Sequence, residues 1–189
     1  MTHGKLIYVI GPSGCGKDSV MGYARESCPG SEAIFTHRYI TRSADAGGEN
    51  HIFLHPDEFQ ARLERGLFSL NWDSHGFRYA IGREIDMWME AGFNVVMNGS
   101  RAYLPEASLR YQNIIPVLIN VETPILKERL IARGRESETE IARRLERAGA
   151  YEVNHTNLEL IDNSGELPHA GQQILQIIRG KRMAMKEAV

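Results

Sequence analysis

Apolar residues fall in short runs along the chain, and most runs are followed by a stretch with helical spacing. "KLIYVI" (5–10) predicts a short buried strand, and a helix is expected from near Gly16 to about Ser27. "HIFL" (51–54) predicts a strand, and "HPDEFQARLERG" (55–66) a helix with Pro near its start, acids in its first turn and a Gly stop. "LFSLNW" and "FRYAIG" on either side of "DSHG" predict a hairpin. A helix around 83–91 is expected to end at Gly92. "NVVMNG" (94–99) and "IIPVLINV" (114–121) predict strands, with a helix around 102–111 between them. Thr123-Pro124 opens a helix that stops at Gly134, and Ser137 with Glu140 forms an S-x-x-E capping box for the next. "LELID" (158–162) and a helix from about Pro168 close the pattern.

Apolar strands alternating with helices imply an α/β fold, a parallel sheet covered on both faces. The stretch 34–82, with short strands and a hairpin, breaks the alternation and reads as a lobe inserted in a core of about 1–33 and 83–189. The charged stretch 133–147 reads as a second, mobile piece.

Composition narrows this little. With 189 residues, 42% hydrophobic and 24% charged, the chain is an ordinary globular one of a single domain. A net charge of -2 argues against a general nucleic-acid surface, so any anion site must be local. Arginine supplies 17 of the 22 basic residues, which suits bidentate phosphate recognition but also fits codon bias. Cys15 and Cys28 make neither a disulfide framework nor a zinc site, and no apolar run is long enough to span a membrane. A cytoplasmic, reduced protein is expected, with no membrane partner. The oligomeric state stays open, a homodimer included.

The chemistry begins at Gly11-Pro12-Ser13-Gly14-Cys15-Gly16-Lys17, which fits G-x-x-x-x-G-K between a strand and a helix. Backbone N–H groups of such a loop converge on phosphate oxygens, the helix N-terminus adds its dipole, and Lys17 can bridge the β- and γ-phosphates. Cys15 reads as a small residue that fits the loop. The next residue is ordinarily Ser or Thr, which holds magnesium; here it is Asp18, followed by Ser19. A carboxylate there either caps the helix or binds Mg²⁺, directly or through water. Ser19 lies about 100° further round the helix and is a poor substitute.

"GPSGCGK", "ITR" (40–42), the 67–82 hairpin and "RLIARGRESETEIARRL" (129–145) resemble the guanylate kinase superfamily over roughly residues 5–165. That resemblance implies a P-loop NTPase three-layer fold with an acceptor-binding lobe and an arginine-bearing lid. The guanine readers are missing, however. Asp45 stands where a second arginine follows T-T-R, Phe77-Arg78-Tyr79-Ala80-Ile81 replaces N-Y-Y-G-S/T, and Asn98-Gly99-Ser100 replaces D-x-D. A site without its hydrogen-bonding partners rejects a ligand by about 10⁴–10⁵, which disfavours GMP.

The departures form their own pattern. The segments Gly11–Ser19, His37–Arg42, Gly48–His51, Gly82–Phe93 and Val95–Pro105 resemble the ribose 1,5-bisphosphate phosphokinases of phosphonate utilisation. The resemblance implies ATP-dependent phosphorylation of ribose 1,5-bisphosphate, with Mg²⁺, to give 5-phosphoribosyl diphosphate and ADP. The acceptor is then a phosphate oxygen, already ionised near neutral pH, so positioning and charge neutralisation suffice.

Arg38, Arg42, Arg78 and Arg101 are candidates to grip the acceptor phosphates, with Tyr39 and Tyr79 against the sugar or a phosphate. Asn98 ends a core strand and is placed either to bond a ribose hydroxyl or to cap the next helix. Arg133, Arg135, Arg143 and Arg144 are lid candidates, and the resemblance implies that Arg133 and Arg144 close over the ATP phosphates. His37 and His51 lie in matching segments and are expected beside the site. No Asp ends the third core strand, so magnesium has few protein ligands besides Asp18. Two other readings stay open: a guanylate-type nucleoside monophosphate kinase, and a non-catalytic guanylate kinase-like binding module.

Overall fold

A computed structural model describes residues 3–43, 49, 51–134, 137–149 and 152–180. Asp45, Gly48, Arg135 and Glu136 lie outside the described residues. Five parallel strands form the core sheet in the order β2-β7-β1-β8-β9: β1 (Leu6–Ile10), β2 (Ala33–Phe35), β7 (Asn94–Asn98), β8 (Ile114–Asn120) and β9 (Glu159–Asp162). β1 is central and buried along its whole length, which is why its sequence is an unbroken apolar run.

Strand alternation then assigns each β1 side chain to one of two cores. Ile7 and Val9 join Val96, Val117, Ile119 and Ile161 beneath α1 (Lys17–Ser27), α5 (Thr123–Arg133), α6 (Glu138–Gly149) and α7 (Leu167–Ile178). Leu6, Tyr8 and Ile10 join Val95 and Met97 beneath α3 (Glu84–Glu90) and α4 (Leu104–Arg110). The result is three layers, helix–sheet–helix.

A second sheet has the order β4-β3-β6-β5, built from β3 (Tyr39–Ile40), β4 (Ile52–Phe53), β5 (Phe68–Ser74) and β6 (Phe77–Gly82). The hairpin turn is tighter than the "DSHG" reading: strand pairing runs to Ser74–Phe77, leaving only His75 and Gly76 in the loop. Both have positive φ, 51° and 77°, the geometry of a two-residue type I′ turn whose twist matches its strands. One face of this sheet feeds Leu70, Trp72, Tyr79 and Ile81 into the second core. The other buries Phe68 and Ala80 against Leu54 and Phe59 of α2 (Pro56–Glu64).

β2 was not anticipated, and it belongs to the core sheet: Ala33–Phe35 pair with Asn94–Val96, and Thr36 N–H donates to the Val96 carbonyl. The chain therefore leaves the core after Thr36, slightly later than residue 34. At the far end, the Ser137 N–H donates to Glu140 Oε2 at 2.8 Å and Glu140 N–H to Ser137 Oγ at 3.4 Å, so the capping box forms and opens α6. Among the described residues no helix is long and apolar enough to cross a membrane.

Candidate active site

The loop between β1 and α1 is shaped by three glycines and pinned from behind by one asparagine. Gly16 has φ +88°, and a Cβ there would stand 2.4 Å from Asn163 Nδ2. The close approach is used: buried Asn163 donates from Nδ2 to the Cys15 carbonyl at 2.7 Å, and its own N–H donates to Asn120 O at 2.8 Å. Asn163 thus ties the loop to the end of β9. Lys17 Nζ donates to the carbonyls of Gly11 (3.0 Å) and Pro12 (3.1 Å), so the ammonium lies folded over the loop it closes. Cys15 is fully buried in the core beside Val9 and Leu126, a packing residue as expected from its size.

Asp18 lies in the first turn of α1, where the helix dipole favours an anion. Its outer side is open to solvent, yet protein crowds it enough that desolvation pushes its pKa up. The nearby Glu49 charge pushes the same way, while Lys17, Arg38 and a hydrogen bond from Asn98 oppose. That bond runs from Asn98 Nδ2 to Asp18 Oδ1 at 3.0 Å and joins the phosphate loop to the C-terminal end of β7. Asn98 is 5% exposed, and its Oδ1 is buried without a hydrogen-bond donor among the described residues. An unpaired buried acceptor costs roughly 1–3 kcal/mol. A carboxylate joined to an amide with a spare oxygen is an oxygen donor set of the kind magnesium and its waters take. The residues present therefore fit the metal.

The second sheet brings Arg38 to the same place. Its guanidinium lies over the Tyr79 ring, 5.0 Å from the centroid. It forms a two-point ion pair with Glu49: Nε donates to Oε1 at 2.6 Å and Nη2 to Oε2. Only 13% of the Arg38 side chain and 12% of the Glu49 side chain is exposed, so this is a desolvated, charge-assisted contact. Tyr79 stacks on Trp72 (centroids 5.7 Å, 7° between planes), and Trp72 on Tyr103. His51, buried, bridges the carbonyls of Glu49 (Nδ1, 3.0 Å) and Arg42 (Nε2, 2.9 Å) and so holds the two ends of the 42–49 segment together. Arg42 is half-buried, with Nε unpaired among the described residues.

Two acceptor candidates do not join this group, for reasons of strand geometry. Tyr39 opens β3, alternates with its chain neighbours Arg38 and Ile40, and faces the α2 side, packing on Phe68 (centroids 5.6 Å) beneath Arg62. Arg78 alternates with Tyr79 on β6, lies over Phe59 and donates to Gln60 Oε1 at 2.7 Å. Tyr39 and Arg78 thus lie on the α2 side of the sheet, apart from the Arg38–Glu49 pair.

Arg101 takes an unexpected position. It donates from Nη1 to Ala148 O (3.2 Å) and from Nη2 to Arg147 O (3.4 Å), the carbonyl end of α6, where a cation complements the helix dipole. Its loop is anchored by Tyr8, whose hydroxyl donates to Ser100 O (3.1 Å) and accepts from Ser100 N–H (3.0 Å). From the same helix, Arg144 Nη1 donates to Ser13 Oγ at 2.6 Å, so α6 reaches the phosphate loop. Arg133 stands exposed at the last turn of α5. Arg129, which motif reading passed over, puts Nη1 3.9 Å from where a Gly16 Cβ would be. Its signal was its place one helical turn before Arg133 on α5.

No protein-family model matches the chain. Among curated proteins, ribose 1,5-bisphosphate phosphokinase PhnN of Thiobacillus denitrificans is 54% identical over 94% of both chains. The protein of that name from Desulfomicrobium baculatum is 55% identical over 92% of this chain and 94% of its own. The one from Yersinia pestis is 46% identical over 92% and 91%. Among solved structures, guanylate kinase from Anaplasma phagocytophilum superposes with a TM-score of 0.69 at 16% identity, covering 98% of this chain and 89% of its own. At that identity the likeness speaks to the fold.

Proposed function

This chain belongs to the ribose 1,5-bisphosphate phosphokinase PhnN family, and on that premise we propose how it acts: as a kinase that transfers the γ-phosphoryl group of ATP to the 1-phosphate of ribose 1,5-bisphosphate. The products are 5-phospho-α-D-ribosyl 1-diphosphate and ADP, a reaction that fits phosphonate use. An acceptor phosphate oxygen attacks the γ-phosphorus as the bond from that phosphorus to the β,γ-bridging oxygen breaks. The second pKa of a phosphate is about 6, so the oxygen is ionised near neutral pH and no base is needed.

The observation that carries this reading is the shared electrostatic field at Asp18. Lys17 from the loop, and the Arg38–Glu49 ion pair from the lobe beyond Thr36, all act on that one carboxylate. Donor and acceptor phosphates would therefore meet in one charge-dense space. The residues Gly11 to Ser19 form the cradle, its N–H groups and the α1 dipole taking ATP phosphates. Lys17 leaves its loop carbonyls for the β- and γ-oxygens, and Arg144, already at Ser13, reaches the transferring group. Arg133 supports it from the end of α5. Arg38 and Arg42 grip the acceptor from the lobe that follows Thr36, with Tyr79 packed behind Arg38. Asp18 would hold Mg²⁺ beside the loop, and the ion would supply charge neutralisation for the ATP phosphates.

The test is ADP release from ATP with either ribose 1,5-bisphosphate or GMP as acceptor. The proposal expects kcat/KM for the sugar bisphosphate to exceed that for GMP by at least about 10⁴. Turnover of GMP alone overturns it in favour of a nucleoside monophosphate kinase, and turnover of neither in favour of a binding module.

A further inference from the structure

We infer that Arg101 is a positioning residue for the transfer step: it holds the carbonyl end of α6 and so sets Arg144 over the phosphate loop. The inference rests on the kinase reading above and deepens it. It gives a task to a basic residue of the Val95–Pro105 segment that the proposed reaction leaves unassigned. The anchor of Arg101 lies in the central strand. Gly99 passes so close over Tyr8 that a Cβ there would collide with the ring. Ser100 then donates its N–H to the Tyr8 hydroxyl (3.0 Å) and accepts from that hydroxyl through its carbonyl (3.1 Å). Burial pushes the Tyr8 pKa up, so the hydroxyl keeps the proton it gives to Ser100. Tyr8 is itself fully buried on β1. Arg101 thus projects from a backbone that is fixed at both polar groups of the preceding residue.

The helix it reaches is held lightly. Among the residues of α6 only Ile141 is buried, with Leu145 and Ala148 half-buried against the core. These stand at i, i+4 and i+7, one stripe of the helix, and Arg144 at i+3 belongs to the same stripe. Arg143 and Arg147 are exposed. So narrow an apolar stripe leaves the helix free to slide or turn unless polar contacts fix it. The last carbonyls of a helix have no partner within it, and Arg101 takes two of them, Arg147 O at 3.4 Å and Ala148 O at 3.2 Å. Ala148 lies one turn beyond Arg144. Fixing its carbonyl fixes the point from which Arg144 Nη1 reaches Ser13 Oγ at 2.6 Å.

A grip on an acceptor phosphate is the competing assignment. It would aim the guanidinium at an anion beside Asp18, whereas two of its nitrogens donate to helix carbonyls. It also leaves the double bond between Tyr8 and Ser100 without purpose. The positioning role uses that anchor, the cation at the negative end of the helix dipole, and the shared stripe that carries Arg144. Displacing a charge that must meet the transferring group by even about 1 Å is costly to the rate, which is what such a tie prevents.

The experiment is steady-state kinetics of the full chain with ATP and ribose 1,5-bisphosphate, alongside amide hydrogen exchange over α6. Arg101→Ala should lower kcat by about three- to tenfold and leave the KM for the sugar bisphosphate within about twofold. In an Arg144→Ala background the same substitution should change kcat by less than about twofold, because the group it positions is gone. Arg101→Lys, which keeps a cation at the helix end, should recover most of the loss. A KM for the sugar bisphosphate raised by about tenfold or more at unchanged kcat overturns the proposal in favour of a phosphate contact. Losses that multiply in the double variant also overturn it, since Arg101 then acts without Arg144, and so does an unchanged kcat in Arg101→Ala. Failure of the wild type to turn over the sugar bisphosphate overturns the kinase reading beneath it. The tie itself is still decided in that case, because exchange over α6 needs no turnover: unchanged exchange in Arg101→Ala overturns it and faster exchange supports it.

Discussion

Asn163→Leu removes the tie between the phosphate loop and β9 while preserving bulk. The wild-type side chain is 4% exposed and donates at 2.7 Å to a carbonyl, Cys15 O, in a residue that is itself fully buried. Leucine leaves that carbonyl desolvated and unpaired, a loss of about 1–3 kcal/mol. For a chain of this size each kcal/mol shifts Tm by roughly 2–4 °C, so calorimetry should show a fall of about 2–12 °C. The loop should also lose its fixed shape, because Asn163 is the atom wall against which Gly16 is set at φ +88°. Hence ADP should bind at least several-fold more weakly at a temperature where both proteins are folded. A stability loss alone would reduce Asn163 to a core hydrogen bond. Unchanged Tm together with unchanged ADP affinity would refute the reasoning altogether.

Other outcomes follow from the same geometry. Asp18→Asn should stabilise the ligand-free protein near pH 7–8, since burial and Glu49 raise the Asp18 pKa and so penalise its charged form in the fold. A raised folded-state pKa means wild type recovers stability as pH falls through it, so the Tm advantage of the variant should shrink toward acid pH; an advantage that grows toward acid pH contradicts the assignment. Arg144→Ala should cut kcat by tenfold or more while changing metal-free ADP affinity little, measured by steady-state kinetics and calorimetry. Arg101→Ala should loosen α6, read as faster amide exchange over 138–149 with slower exchange elsewhere unaffected. Tyr39→Phe should leave the KM for the sugar bisphosphate within about twofold, because its ring faces α2.

The core was legible because its strands are buried on both faces. An unbroken run such as "LIYVI" has one use in a sheet, and the glycine-rich loop after it has one common use at a helix start. β2 escaped because three residues carry too little periodicity to separate strand from loop. The site was half legible for a related reason. Motif reading took Lys17 and Asp18 for the phosphate loop and Arg144 for a lid, and the fold brings Arg144 to Ser13, but spacing cannot say which face of a two-residue strand looks inward. Tyr39 and Arg38 are adjacent in sequence and end on opposite sides of the second sheet. Contacts between distant segments were beyond reach altogether. Asn98 meets Asp18 across 80 positions and Asn163 meets Cys15 across 148, pairings that only the parallel crossovers create.

The central claim is that phosphoryl transfer ends on the 1-phosphate of the sugar. Phosphorus NMR of the mixture formed from ATP and ribose 1,5-bisphosphate tests it directly. The account predicts a new pair of coupled diphosphate resonances from C1, an unaltered 5-phosphate signal, and ADP in equal amount. A product phosphorylated elsewhere, or ADP formed with free inorganic phosphate and no new diphosphate, would contradict it.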